Sequence, residues 1–139
     1  MRYTELRDKH QNEWNEFPIM FAFNDKQFKE GMEKLGLSET DTDKIYSIGG
    51  GGYIRKDSSH ALREMTERHE RERKEAFQDD QYAYEAFVYE LGNHEYCITY
   101  ESEPTLDALG LTIDEVLEDC RLSEIFKQAK RDYLASCEY

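Results

Sequence analysis

Gly49-Gly50-Gly51-Gly52, followed closely by Arg55, Lys56 and Ser58, is the run in this chain whose residue types come nearest to ligand chemistry. Four consecutive glycines lose more backbone entropy on folding than any other four residues, so something should require their freedom. A glycine loop beside two cations and the start of a helix can aim backbone N–H groups at a phosphate. The spacing is not the G-x-x-x-x-G-K-[ST] of a P-loop. Nor is it a dinucleotide fingerprint, because strand-like Tyr53-Ile54-Arg55 stands between the glycines and the helix. Two readings follow: a binder of (or small enzyme acting on) a phosphate-containing ligand, and a flexible hairpin turn, which is the simpler of the two.

The other chemistry-bearing side chains are scattered. His94-Glu95, His60 and His69 show no HExxH or other metal spacing, so no metal is expected. His60 can share a helix face with Glu64, and His10 with Trp14, in ordinary polar or capping roles. Cys97, near His94, would need an oriented base and an oxyanion hole to act as a nucleophile; a buried, inert thiol is the default. No residue is assigned a catalytic role and no cofactor is called for, which leans away from an enzyme. The three cysteines, Cys97, Cys120 and Cys137, are odd in number and form no CxxC pair. They read as reduced cytoplasmic thiols rather than a disulfide framework.

Charge points to a partner. The net charge is −13, and the 46 residues from Glu75 to Cys120 hold 13 Asp and Glu with no Lys or Arg. Such a surface disfavours direct contact with nucleic-acid phosphates and favours a protein with a basic surface. Tyrosine buries area with little entropy loss and is favoured at interfaces. On a helix over 81–92, Tyr84, Phe87, Val88 and Leu91 share the core face, while Tyr82 and Tyr89 lie opposite, beside Glu85. The expected partner-binding patch is therefore Tyr82, Glu85, Tyr89, Glu90, Glu101 and Glu103. A sharper form of the same idea is nucleic-acid mimicry, with the acidic array filling the groove of a nucleic-acid enzyme. A homo-oligomer is compatible with these features. The first residues, MRYTELRDKHQNEW, lack the apolar core of a signal peptide. The longest near-apolar run, Phe17 to Phe23, is far short of a membrane span. Both suggest a cytoplasmic protein.

The elements that must position these residues suggest one mainly helical α+β domain over residues 1–139, with a small antiparallel hairpin or sheet near 45–55. Tyr3, Leu6, His10, Trp14 and Phe17 predict a helix over 3–16. Phe17 to Phe23 is read as a short strand. Asn24 with Gln27 is a capping box, and Gly36 with Leu37 a helix stop, bracketing a helix over 25–35. A helical turn is expected over 39–44. Strand, turn and strand follow over 45–55. Asp57 or Ser58 is expected to cap a long ionic helix from about Ser59 to Asp79, whose Glu64/Arg68, Glu67/Arg71 and Glu70/Lys74 stand in the favourable i,i+4 order. Residues 95–100 are β-friendly and suggest a short strand. Pro104 starts a helix that stops at Gly110, Thr112 with Glu115 caps the next, and the last helix covers about 122–136.

The strings IYSIGGGGYIRK, SSHALREM, YELGNHEY and TLDALGLTIDEVL give a resemblance that spans Phe21 to about Leu122. By them the chain resembles a family of small, acidic, uncharacterised proteins of gut anaerobes, often encoded near mobile genetic elements. The resemblance implies a context and carries over no catalytic residue.

Overall fold

In chain order, the computed structural model, which describes residues 2–137, contains α1 (Tyr3–Glu16), β1 (Met20–Phe21), α2 (Asp25–Lys34), β2 (Ile45–Gly49), β3 (Gly52–Arg55), α3 (Ser59–Ala76), α4 (Asp80–Asn93), α5 (Tyr96–Thr99), α6 (Glu103–Ala108), α7 (Ile113–Glu118) and α8 (Cys120–Ser136). Short 3-10 turns at Thr42–Lys44 and Lys56–Ser58 lead into β2 and α3. The fold class is mainly helical α+β, as the sequence suggests. By internal packing the chain falls into two compact units, His10–Arg71 and the remainder.

The unit formed by His10–Arg71 holds the sheet. Its strand order is β1-β3-β2, antiparallel throughout, with Met20 opposite Tyr53, Phe21 opposite Gly52 and Tyr46 opposite Ile54. Side chains alternate across a strand, so Met20 and Tyr53 point to one face and Phe21, Tyr46 and Ile54 to the other. The first face packs on α2: Met20, Met32 and Leu35 are buried together, and Phe28 meets the Tyr53 ring edge-on at 5.6 Å. Gly31 makes that approach possible, because a Cβ there would lie 2.6 Å from Met20 Sδ. Both ends of α2 are closed as the sequence marks them. Asn24 Oδ1 accepts from Gln27 N–H at 2.8 Å, and Gln27 Oε1 accepts from Phe23 N–H. At the far end Gly36 adopts φ +76 while Leu37 N–H reaches back to the Met32 carbonyl, the closure expected of a left-handed helix stop.

Among its described residues the remaining unit holds helices and no strand, and is organised by α4. Asp79 Oδ1 accepts from Tyr82 N–H and starts the helix. Tyr82, Ala83, Ala86, Phe87, Glu90 and Leu91 are buried along it. Its main neighbour is α8, where Phe126 meets Phe87 at 4.8 Å between ring centres. The Gly36 closure recurs at Gly110 (φ +71), with Leu111 N–H on the Leu106 carbonyl, and Thr112 Oγ1 accepts from Glu115 N–H to start α7.

Three expectations are corrected. The strand expected within 17–23 shrinks to Met20–Phe21. Residues 95–100, read as a strand, form the single turn α5, enclosed by left-handed Glu95 (φ 54) and Tyr100 (φ 56). Packing of Tyr96 into the core overrides the β-propensity of its neighbours. Neither Asp57 nor Ser58 caps α3 from its side chain, because the chain enters that helix through a 3-10 turn and Asp57 holds Arg55.

Candidate binding face at the glycine turn

Gly49, Gly50 and Gly51 all lie in the left-handed region, at φ +85, +59 and +79. That geometry costs an L-side chain about 1–2 kcal/mol per residue, which explains the glycine run as a turn. Gly52 belongs to β3 and answers a second demand. Phe21 and Ile48 close over its backbone, and a Cβ there would meet them at 3.1 and 3.0 Å. The Ala22 N–H donates to the Gly51 carbonyl at 2.9 Å and carries the chain after β1 alongside the turn. Phe23 then lies against Gly51, where a Cβ would come 2.5 Å from its ring.

The result is an exposed apolar cluster beside the turn, although Ile54, on the same face of the sheet, is itself buried. Phe21, Phe23, Tyr46 and Ile48 are 60%, 76%, 49% and 39% exposed. The first, third and fourth flank Gly52 and Ile54 on the face turned away from α2, and Phe23 extends it over the turn. β2 is the longer of the two edge strands, and its sequence, IYSIG, carries no charge or proline of the kind that blunts an edge.

The cations expected to serve a phosphate are held elsewhere. Arg55 donates through Nε and Nη2 to both carboxylate oxygens of Asp57, at 3.1 and 3.0 Å, and through Nη1 to the Leu35 carbonyl at 3.0 Å. It thus closes the end of α2 rather than facing the glycines. Lys56 Nζ stands over the Tyr46 ring, 5.1 Å from its centre. Ser58 ends the 3-10 turn that precedes α3. Arg55 closes β3 opposite Ile45, and Lys56 and Ser58 lie in the 3-10 turn after it, so all three stand at the end of the hairpin away from the glycines.

Of the residues expected in the acidic patch, Tyr82 and Glu90 are buried, a correction to their expected exposure. Tyr82 packs edge-on against Tyr3 and Phe77, and burial pushes its hydroxyl up to about 12. Glu90 lies beneath the surface with Tyr3 Oη at 2.6 Å, Asn93 Nδ2 at 3.3 Å and Arg7 Nε at 4.0 Å. His94 Nε2 is 3.3 Å from Glu90 Oε2, but off the geometry of a hydrogen bond and without another hydrogen-bond partner among the described residues. Glu85 and Tyr89 line a cleft of about 230 Å³ with Tyr3 and Val88. Their charge and ring are already answered, Glu85 by Arg2 at 3.6 Å and Tyr89 by Arg7 over its face. Glu101 and Glu103 are exposed.

Sequence reasoning missed a second polar cluster. Glu13 of α1 accepts from Arg68 and lies 2.6 Å from His69 Nε2, while the His10 ring stacks on His69 at 3.8 Å. The Arg68 guanidinium first, and His69 second, hold the Glu13 carboxyl down at about 2. A His–carboxylate pair has the parts of a general base, but His69 is enclosed. The cluster therefore joins α1 to α3 rather than facing a substrate. Only the i,i+3 placement of His10 and Glu13 and the adjacency of Arg68 and His69 were available as signals, and neither implies the meeting. Among the described residues, no group of three or more His, Cys, Asp and Glu side chains could hold a metal ion.

No helix among the described residues is long and apolar enough to cross a membrane. No curated protein and no solved structure matches the chain. A family profile does match, over residues 2–132, and the chain belongs to that family, a family of unknown function (DUF7659).

Proposed function

We propose that this chain is a non-enzymatic cytoplasmic accessory protein that binds another protein through the exposed apolar cluster beside its glycine turn and the β2 edge of its three-stranded sheet. The supporting observation is the gathering of Phe21, Phe23, Tyr46 and Ile48, all exposed, on one side of the hairpin. In a chain this charged, a contiguous exposed apolar cluster marks a surface that a partner covers. The β2 edge, regular from Ile45 to Ser47, can take up an extended segment of that partner by main-chain pairing, with Tyr46 and Ile48 flanking the added strand. The acidic surface, with Glu85, Tyr89, Glu101 and Glu103, steers the encounter toward a partner that is basic around its docking segment. Nucleic-acid mimicry would instead need the acidic array to be the contact surface, and the apolar hairpin favours a protein.

The test replaces Tyr46 or Phe23 with a photo-crosslinking residue in the full chain and irradiates it in cells that express it. Discrete protein adducts from both positions, lost when Ile48→Ser is added, are expected. Adducts no more frequent than those from a control at Glu115 of α7 would reject the sheet face. A crosslink to a second copy would identify the partner as the chain itself.

A further inference from the structure

Cys97 and Cys137 stand outside the proposed binding face, and the fold brings them together. The Tyr133 hydroxyl of α8 donates to Cys97 Sγ at 3.4 Å. Cys137 is the first residue past α8, four positions after Tyr133, so it stands one turn beyond that ring on the same side of the helix end. Cys137 is near enough to act on the titration of both the Tyr133 hydroxyl and the Cys97 thiol. Cys97 and Cys137 are both half-buried, open to a small reagent, whereas the third thiol, Cys120, is exposed at the start of α8.

A second feature converges on the same place. Cys97 is carried by α5, a single turn held between two left-handed residues that are not glycine, Glu95 and Tyr100. Such residues are strained and persist where the surroundings enforce them, often at functional sites. Here the enforced turn places one thiol against the phenol of Tyr133, at the end of α8 where Cys137 follows. The Tyr133 hydroxyl first, and Cys137 second, lower the Cys97 thiol from its ordinary range, the condition for a reactive cysteine.

We propose that Cys97 and Cys137 are a reversible redox pair that closes to an intramolecular disulfide on reaction with a low-molecular-weight disulfide. The Cys97 thiolate attacks one sulfur of glutathione disulfide. A Cys97–glutathione bond forms, the glutathione S–S bond breaks, and one glutathione thiolate leaves. Cys137 then gives up its proton, and its thiolate attacks Cys97 Sγ. The Cys97–Cys137 bond forms and the second glutathione thiolate leaves, so two protein thiols are oxidised as one disulfide is reduced to two thiols. Tyr133 is a positioning residue that stabilises the attacking thiolate. The product ties α5 to the end of α8.

The test exposes the full native chain to glutathione disulfide, blocks remaining thiols with N-ethylmaleimide, and maps the digest by mass spectrometry. The expected product lacks two hydrogens, contains a Cys97–Cys137 peptide pair, and carries the block on Cys120. Closure in the native chain should outpace that in chain unfolded in urea by at least about tenfold, since the fold raises the effective concentration of one thiol at the other. Cys137→Ser should stop at the Cys97–glutathione adduct, and Tyr133→Phe should slow the first step several-fold. A cross-link that includes Cys120, an adduct on Cys97 that persists with Cys137 intact, or closure no faster than in urea would each overturn the proposal.

Discussion

The Tyr3 hydroxyl donates to the Glu90 carboxylate at 2.6 Å, with both residues buried and 87 positions apart in the chain. Burial first, and the neighbouring Glu90 second, hold the Tyr3 hydroxyl well above the ordinary phenol range, so it stays a donor. The bond fastens the start of α1 to α4 and satisfies a carboxylate that would otherwise be stranded in a core.

Tyr3→Phe should therefore lower stability by about 1.5–3 kcal/mol, the range for a hydrogen bond to a charged, desolvated group. Tyr84→Phe provides the contrast. It deletes the same hydroxyl from a 2.5 Å bond to Asp132, but at the surface, where water replaces the lost donor and the loss should be under about 1 kcal/mol. Urea denaturation of both variants checks the order. Equal losses would mean that burial of Glu90 does not govern the bond.

Glu13 gives a pH dependence with a defined sign. Its carboxyl falls from 4.5 to about 2 in the folded chain. A group whose folded value is depressed contributes stability that is complete above its unfolded value and is lost as pH falls toward the folded one. The contribution should thus be whole above about pH 4.5, decline below it, and vanish near pH 2. In melts at about pH 6, 4 and 3, the gap between the native chain and Glu13→Gln should narrow as pH falls. A gap that stays constant would remove Glu13 from the acid response. Added salt should shrink it too, since part of the Glu13 side chain is solvent-exposed.

Local chemistry was legible in the sequence because its causes are local. Asn24 with Gln27, Gly36 with Leu37, and Thr112 with Glu115 close helices through groups a few residues apart, and each does so in the structure. Tyr82 and Glu90 were misplaced because the helical period shows which residues share a face, not how many faces are covered. Residues of α1 and α8 both pack on α4, so its polar side is buried as well. The exposed sheet face was illegible for the converse reason. Phe21, Phe23 and Ile48 look like core residues until the register sets Phe21 opposite Gly52 and the turn brings Phe23 and Ile48 against Gly51 and Gly52. The pairs Tyr3–Glu90 and Glu13–His69 depend on tertiary proximity, which residue spacing does not encode.

Two helical glycines should respond to alanine with opposite signs. In a helix interior the change alone is worth about 0.8–1 kcal/mol in alanine's favour. At Gly92 a Cβ would meet Tyr133 at an ordinary 3.6 Å, so Gly92→Ala should gain up to that amount. At Gly31 it would meet Sδ and Cβ of buried Met20 at 2.6 and 2.9 Å. Overpacking of that kind costs about 1–3 kcal/mol and outweighs the helix gain. Gly31→Ala should therefore destabilise, by about 1 kcal/mol, in the same denaturation assay. A gain at Gly31 would mean that Met20 can yield.

At the turn, alanine separates conformation from the binding face. Gly49 and Gly51 have nearly the same φ, +85 and +79, but a Cβ on Gly49 meets open space while one on Gly51 runs into the Phe23 ring. The left-handed penalty of about 1–2 kcal/mol applies to both. Because Phe23 is 76% exposed, its ring can swing aside at little further cost, so the two variants should lose similar stability. Their binding should differ. Gly51→Ala displaces Phe23 from the face it shares with Phe21 and Ile48, whereas Gly49→Ala leaves that face in place. Photo-crosslinking from Tyr46 should fall in Gly51→Ala and persist in Gly49→Ala. Equal loss in both would shift the role from the apolar face to the conformation of the turn itself, which the two substitutions strain alike.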